Sequence, residues 1–208
     1  MKLTKTIAAV LTVSALISCK GEINTTNNTE NMKSNQVIET IMARRSIRQY
    51  KAEPVKRETM QTILECGINA PSGMNKQSWE VRVLDNPQSI EKLKSYMVQA
   101  NPEVSAQAVE GCWRGAPTLV VIANAGDYDF SAIDCGLLSQ NIMLSAWSLG
   151  VGSVCLGSPI RYINKSAEAL QMLGFSEGYT PIIAIGLGYS DEKPEAKPRD
   201  MGKVKFIE

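Results

Sequence analysis

The chain has 208 residues, 22 Lys and Arg against 21 Asp and Glu, and 44% hydrophobic residues. That composition fits one globular domain and lacks the strongly basic face that nucleic acid requires, so no nucleic-acid partner is expected. There is no histidine, which removes Ser-His-Asp and Cys-His catalysis and leaves proton chemistry to tyrosine, lysine, carboxylates, water or a cofactor.

At the amino terminus, Lys2 and Lys5 precede the apolar run Ile7 to Ile17. The run is too short to span a bilayer and is laid out as a secretory leader. Leu16-Ile17-Ser18-Cys19 resembles a bacterial lipobox. Residues 1–18 are therefore expected to be removed and Cys19 to be lipidated, placing the protein in the bacterial cell envelope with membrane contact through the lipid anchor alone. An ordinary signal peptide or a buried helix fits the same run. Residues 19–35 are polar and rich in Asn and Thr, the composition of a flexible tether, and a folded domain is expected over 36–208. The cysteines are Cys19, Cys66, Cys112, Cys135 and Cys155, with no CxxC pair. Cys66, Cys135 and Cys155 lie in apolar runs and read as small buried residues.

Ser34 is a candidate N-cap for a helix from Asn35 to Arg44. Arg44-Arg45-Ser46-Ile47-Arg48 follows, with three guanidinium groups and a hydroxyl in five residues. Guanidinium pairs bidentately with phosphate oxygens, so the cluster suits a small anionic ligand; a solvated basic patch has the same composition. Pro54 opens a second helix, Val55 to Ile68. The loop Ala70 to Trp79 carries turn residues and the neutral hydrogen-bonding groups of Ser72, Asn75 and Gln77, which suit either the edge of a heterocycle or a plain connection.

A strand is predicted over Glu80–Leu84, and a helix over Ile90–Ala100 capped by Ser89. Residues 101–116 have weak periodicity and read as a mobile cover over a pocket or as a short surface helix. Thr118–Ala123 is a strand buried on both faces. Ile133–Leu149 is apolar almost all round, as in a central helix or a dimer seam. The glycines at 150, 152 and 157 miss the dinucleotide-binding spacing; the stretch reads as a short strand whose backbone lies close to a flat ligand. A helix from Pro159 to Leu173 ends at Gly174, and Tyr179–Gly188 is the last strand. Lys197-Pro198-Arg199 sets two cations on an extended segment, either a further phosphate contact or a solvated tail.

These motifs in this order resemble the nitroreductase family of FMN-dependent oxidoreductases. The resemblance spans about residues 36–199. It is carried by Arg44–Tyr50, Ala70–Trp79, Asp134-Cys135-Gly136 with Gln140-Asn141, Gly150–Gly157 and Lys197-Pro198-Arg199. It implies a mixed α/β fold, with a sheet flanked by helices, in an intertwined homodimer with FMN at the subunit interface. By resemblance, Arg44, Arg45, Ser46 and Arg48 of one subunit bind FMN, with Lys197 and Arg199 at its phosphate. Pro71, Ser72, Asn75 and Gln77 come from the other subunit. Val154, Cys155, Leu156 and Gly157 lie along the isoalloxazine, and the chain after Arg199 embraces the partner. Arg48 is the candidate cation for the reduced flavin's N1 and O2. NADH or NADPH is the expected donor, and a nitroaromatic, quinone or related electrophile the small-molecule acceptor, in a ping-pong cycle through flavin N5 without a catalytic side chain. The leader motivates an alternative: an envelope flavin-binding or electron-relay lipoprotein without NAD(P)H turnover of its own.

Overall fold

A computed structural model describes residues 35–208; the expected leader, the expected lipidation site Cys19 and the rest of the expected tether before Asn35 lie outside the described residues. Four strands, β1 (Trp79–Leu84), β2 (Thr118–Ala125), β3 (Gly152–Leu156) and β4 (Tyr179–Gly188), form one antiparallel sheet in the order β1-β2-β4-β3. Helices α1 (Gln36–Ala43), α2 (Arg57–Ile68), α3 (Pro87–Gln99), α4 (Ala106–Gly111), α5 (Ser131–Ser148), α6 (Ser158–Ile163) and α7 (Ala167–Leu173) flank it. The expected mixed α/β architecture is therefore present.

The core is built by the alternation of β2. Leu119 and Val121 face one layer with Leu93 and Met97 of α3, Trp113 and Ile163 of α6. Val120 and Ile122 face the other with Met60 and Ile63 of α2 and Leu138 and Ile142 of α5. Every residue from Leu119 to Ala123 is fully buried, which is why the sequence shows a continuous apolar run there. Each such Leu, Val or Ile contributes about 1.5–3 kcal/mol of transfer free energy.

Several element boundaries differ from the sequence expectation, each for a local reason. Asn35, not Ser34, caps α1: its Oδ1 accepts from Ile38 N at 2.9 Å. Helix α2 starts at Arg57 because Lys56 has an extended ψ of 139°, and the preceding Val55 amide donates to Thr118 Oγ1 at 3.1 Å. Helix α3 is capped by Asn86, which accepts from the amides of Gln88 and Ser89, with Pro87 preset for the first turn. Strand β1 begins at Trp79, and β2 runs two residues past Ala123. The helix expected from Pro159 to Leu173 is two, α6 and α7, the second capped by Ser166.

Of the two readings of residues 101–116, the short surface helix is present as α4, and the segment around it is tied into the core. Asn101, Val109 and Trp113 are fully buried, and the Asn101 amide donates to Met97 O at 2.7 Å. Helix α5 is not buried all round: Ile133 and Leu137 are 59% and 41% exposed, whereas Cys135, Leu138, Ile142 and Ala146 are buried. Cys66 and Cys155 are exposed, contrary to the buried reading, because one lies on the outer face of α2 and the other on the outer face of an edge strand; Cys135 and Cys112 are buried. Among the described residues no helix is long and apolar enough to cross a membrane.

Burial pushes the Cys112 and Cys135 thiols up to about 12. An unfolded chain ionises them near an ordinary thiol pKa of about 8.5. Their contribution to stability is thus complete at lower pH and is lost as pH rises from the unfolded value toward about 12. The urea midpoint is expected to fall between about pH 8.5 and pH 11, and the fall to flatten in Cys112→Ala/Cys135→Ala. A slope identical in wild type and double variant would refute this assignment.

Candidate functional site

The arginine loop is fixed to the open edge of β3. Ser46 forms a parallel bridge with Ser153, and the Ile47 amide donates to Ser153 O at 3.0 Å. Ile47 is buried over Gly152, where an added Cβ would stand 2.8 Å from Ile47 Cγ1. Only glycine lets the loop lie this close. The Tyr50 phenol donates to Ile47 O at 2.6 Å and to Gly186 O at 3.3 Å. The Glu192 carboxylate accepts from the amides of Arg48 and Gln49, and the Asp191 amide donates to Gln49 O at 3.0 Å.

This anchoring turns Arg44, Arg45, Ser46 and Arg48 toward the segment after β4. With Pro194, Glu195, Lys197 and Arg199 they line a cleft of about 250 Å³. All six residues expected to bind FMN from this subunit, Arg48 with its expected place at N1 and O2 among them, thus line one cleft. Arg44 Nη1 is buried without a hydrogen-bond partner. Burial lowers the Arg44 pKa, and the charges of Arg199 and Arg45 act in the same sense. Five cations face one carboxylate, Glu195, among the lining residues, so the cleft has an unmet demand for negative charge. Arg45 is partly spent on backbone, donating to Met42 O at 2.7 Å and Arg44 O at 2.9 Å; it closes the end of α1 as well as lining the cleft. A larger, more open hollow of about 470 Å³ adjoins this region, lined by Arg45, Ile47, Trp147, Val151 and Lys193 among others.

Along β3 the four expected residues divide. Val154 and Leu156 are 3% and 7% exposed and pack into the core, and strand alternation turns their amides and carbonyls to β4, so they offer a ligand only van der Waals contact with the backbone. The Cys155 side chain is exposed. Because Ser153 O faces the arginine loop, strand alternation aims the Cys155 amide and carbonyl to the same open edge. Gly157 has open space where a Cβ would stand.

The loop bearing Pro71, Ser72, Asn75 and Gln77 is tightly held. Met74, Asn75 and Gln77 adopt φ of 52, 53 and 49°, unusual for residues other than glycine. The buried carboxylate of Asp134, on α5, secures them: it accepts from Gly73 N at 3.1 Å and from Ser78 Oγ at 3.1 Å. Ser72 Oγ accepts from the Gln77 amide at 3.1 Å. Tyr128 lies against Gly73, leaving no room for a Cβ, and Lys76 Nζ sits 4.2 Å from the centre of its ring. Asp134 and Tyr128 had no assigned role in the sequence. An acid in the first turn of an otherwise apolar helix was the available signal for the first.

This loop does not share a pocket with the arginines of its own chain. It precedes Trp79, which pairs with Asn124 at one end of the sheet. Ser153 pairs with Leu187, and Leu187 with Thr118, at the other end. Three strand spacings across and six residues along put the two corners about 25 Å apart. Among the described residues, no group of three or more Cys, Asp or Glu is placed to hold a metal.

An antiparallel sheet packed between helices, with a cation-lined cleft and an open glycine-flanked strand at one edge, defines an α/β protein of the nitroreductase class. The chain belongs to the nitroreductase family, whose model matches residues 41–189. It is 34% identical over 171 residues to the NADPH-flavin oxidoreductase of Vibrio harveyi, covering 79% of this chain and 70% of that one. Its fold resembles the crystal structure of a nitroreductase with bound FMN from Bacteroides fragilis, with a TM-score of 0.76, 27% identity, and coverage of 84% of this chain and 100% of the other. An FMN-bound nitroreductase from Desulfitobacterium hafniense gives a TM-score of 0.75 at 28% identity, covering 84% and 100%.

Asp134→Ala leaves the Gly73 amide and the Ser78 hydroxyl without their acceptor. A loss of roughly 1–3 kcal/mol in chemical denaturation is expected, with faster amide exchange over residues 73–77. Asp134→Asn, which retains one acceptor oxygen, should lose less. Unchanged exchange in Asp134→Ala would show that the loop holds itself.

Proposed function

We propose that the protein is an FMN-dependent oxidoreductase that takes electrons from NADH or NADPH and passes them to a nitroaromatic, quinone or related electrophile in a ping-pong cycle. The observation that carries this reading is the buried, unpartnered Nη1 of the half-buried Arg44, in a cleft of five cations and one acid. A dianionic phosphate supplies what that cleft lacks, and guanidinium is the side chain suited to it. Arg44, Lys197 and Arg199 would hold the phosphate, with Ser46 beside them, Arg45 closing α1 and Arg48 offering the cation for the reduced flavin's N1 and O2. The open edge at Cys155 and Gly157, with the main chain of Val154 and Leu156, would border the flat ring. When bound, FMN supplies the hydride-accepting and hydride-donating centre. The chain's part is to orient it, compensate its charge and limit water beside it.

The site is read as shared by two copies. The Ser72–Gln77 loop and the arginine cleft occupy opposite corners of one sheet, so one chain presents them to separate ligands and a twofold pair presents them to the same one. Apolar surface supports the pairing. Helix α1 buries no residue in its own chain, and Val37, Ile41 and Met42 are exposed. Ile133 and Leu137 of α5 and Phe206 and Ile207 of the tail are exposed as well. Such faces require a partner surface.

The leader layout, with Lys2, Lys5, the run Ile7–Ile17 and Cys19, favours a second reading: a lipid-anchored envelope flavoprotein that relays electrons without NAD(P)H turnover. This reading takes residues 1–18 as a leader, 19–35 as a tether and 36–208 as the folded domain; turnover with NAD(P)H, a donor of the cytoplasm, would count against the leader.

The deciding experiment is the visible spectrum of the purified protein, recorded anaerobically before and after NADPH. Flavin bands that bleach support the enzyme; bands that persist with every nicotinamide donor support the relay; no flavin after incubation with FMN overturns both. Arg44→Ala/Arg199→Ala is expected to weaken FMN binding by about 10- to 100-fold, the scale of lost charged hydrogen bonds. Light scattering of the FMN-saturated protein should give a dimer mass; a monomer that retains FMN and turns over would refute the shared site.

A further inference from the structure

A second basic hollow lies past the other end of β3. Gln107, Cys112, Arg114, Ser158, Arg161 and Tyr162 line a cleft of about 300 Å³. Two of these are guanidinium groups, and no carboxylate is among the lining residues. Both arginines are exposed and neither is in an ion pair among the described residues; the acid next to the lining in sequence is Glu110, beside Gly111, and it is in no ion pair either.

The backbone sets Arg114 in place. It adopts φ of 57°, and Gly115 follows at 68°. The turn is closed by Arg114 N donating to Gly111 O at 3.1 Å and Ala116 N donating to Trp113 O at 3.2 Å. Trp113 is fully buried beneath it. A non-glycine residue held in the left-handed region by such packing is a recurrent mark of a functional position. The field in the hollow is positive: burial pushes the Cys112 thiol up to about 12, while Arg114, Lys94 and Arg161 all pull it the other way. Gln107, Ser158 and Tyr162 add neutral donors to the lining.

Its position gives the hollow a purpose. Ser158 directly follows Gly157, so the cleft opens beyond the end of β3 opposite the Ser153 end where the Arg44 loop sits. Five residues of extended chain separate the two by roughly 15 Å. A ligand anchored by phosphate at Arg44 and lying along β3 would bring its far end toward Arg114 and Arg161.

We propose that Arg114 and Arg161 form a subsite for an oxyanion, phosphate or carboxylate, carried by the molecule that exchanges electrons at the site. The link to electron exchange rests on the FMN reading; the anion binding does not. Two sources share this chemistry, the phosphates of a nicotinamide dinucleotide and the carboxylate of an acidic acceptor.

The direct test is calorimetric titration of the purified, FMN-saturated protein with inorganic pyrophosphate. Wild type should bind one pyrophosphate per chain, Arg114→Gln/Arg161→Gln should lose it, and Arg161→Lys, which keeps the charge, should retain weakened binding. Arg57→Gln, whose guanidinium pairs with Asp85 elsewhere, should bind as wild type. Should the protein hold no flavin, which the spectrum shows independently, the same titration is run on Arg44→Ala/Arg199→Ala so that the first cleft cannot take the probe. Equal pyrophosphate binding by wild type and the Arg114/Arg161 variant, or none by wild type, overturns the subsite. Kinetics then separate the sources. A rise of about tenfold in KM confined to NADPH assigns the subsite to the donor. A rise confined to 4-nitrobenzoate, set against neutral nitrobenzene, assigns it to the acceptor. No rise for either overturns the link to electron exchange and leaves an anion site without it.

Discussion

The fold's functional surface depends on one close approach, Ile47 against Gly152. A side chain at 152 would hold the arginine loop off the sheet edge. With glycine there, Ser46 and Ile47 pair with Ser153 as a short extra strand, and the loop becomes part of the sheet rather than an appendage. Tyr50 and Glu192 then brace it from the other side. Burial raises the Tyr50 phenol pKa, with Glu192 acting in the same sense, so the phenol remains a donor to Ile47 O across the physiological range. The loop is thereby set before any ligand arrives, which lowers the ordering cost of binding.

Edge placement also explains the concentration of cations. A central strand has both sides committed to neighbours; β3 has one side free beyond Ser153. That side supplies main-chain groups at Cys155 and room at Gly157. Uncompensated positive charge is gathered at its two ends, in the Arg44 cleft and the Arg114 hollow, while the chain as a whole is nearly neutral. Like charges held close raise the energy of the empty protein, and Arg44, half-buried beside Arg199 and Arg45, is held below its ordinary pKa by burial first and by their charges next. Binding of the proposed anion would relieve it, so that affinity would come partly from relief of repulsion already present in the protein.

Much of this was legible in the chain. Thr118–Ala123 reads as a doubly buried strand because its neighbours on both faces are helices, and Tyr179–Gly188 reads correctly because glycine and charged residues bound it. The arginine cluster, Lys197 and Arg199 converge as their chemistry suggested. What was not legible depended on partners distant in sequence. Val55 leaves α2 for a hydroxyl at Thr118. Residues 101–116 look irregular because a six-residue helix has little room for periodicity, yet Asn101 and Trp113 plug the core. Cys155 looks apolar in sequence and is exposed because β3 is an edge. Asp134 reads as an N-terminal helix acid, and its work lies in a loop that precedes β1.

The strand order β1-β2-β4-β3 imposes the last constraint. It sends the Ser72–Gln77 loop and the Arg44 loop to opposite corners of the sheet, although each is rigid and each is built for binding. Rigidity at Asp134, with three non-glycine residues held at positive φ, would be wasted on a loop whose target can move. It is of use against a fixed surface. A twofold partner is such a surface, since symmetry places each corner of one sheet at a set distance from the opposite corner of the other. On the proposed shared site, the positive φ of Met74, Asn75 and Gln77 and the exposed apolar face of α1 would have a common origin: both would be features of one chain whose complement is a second copy.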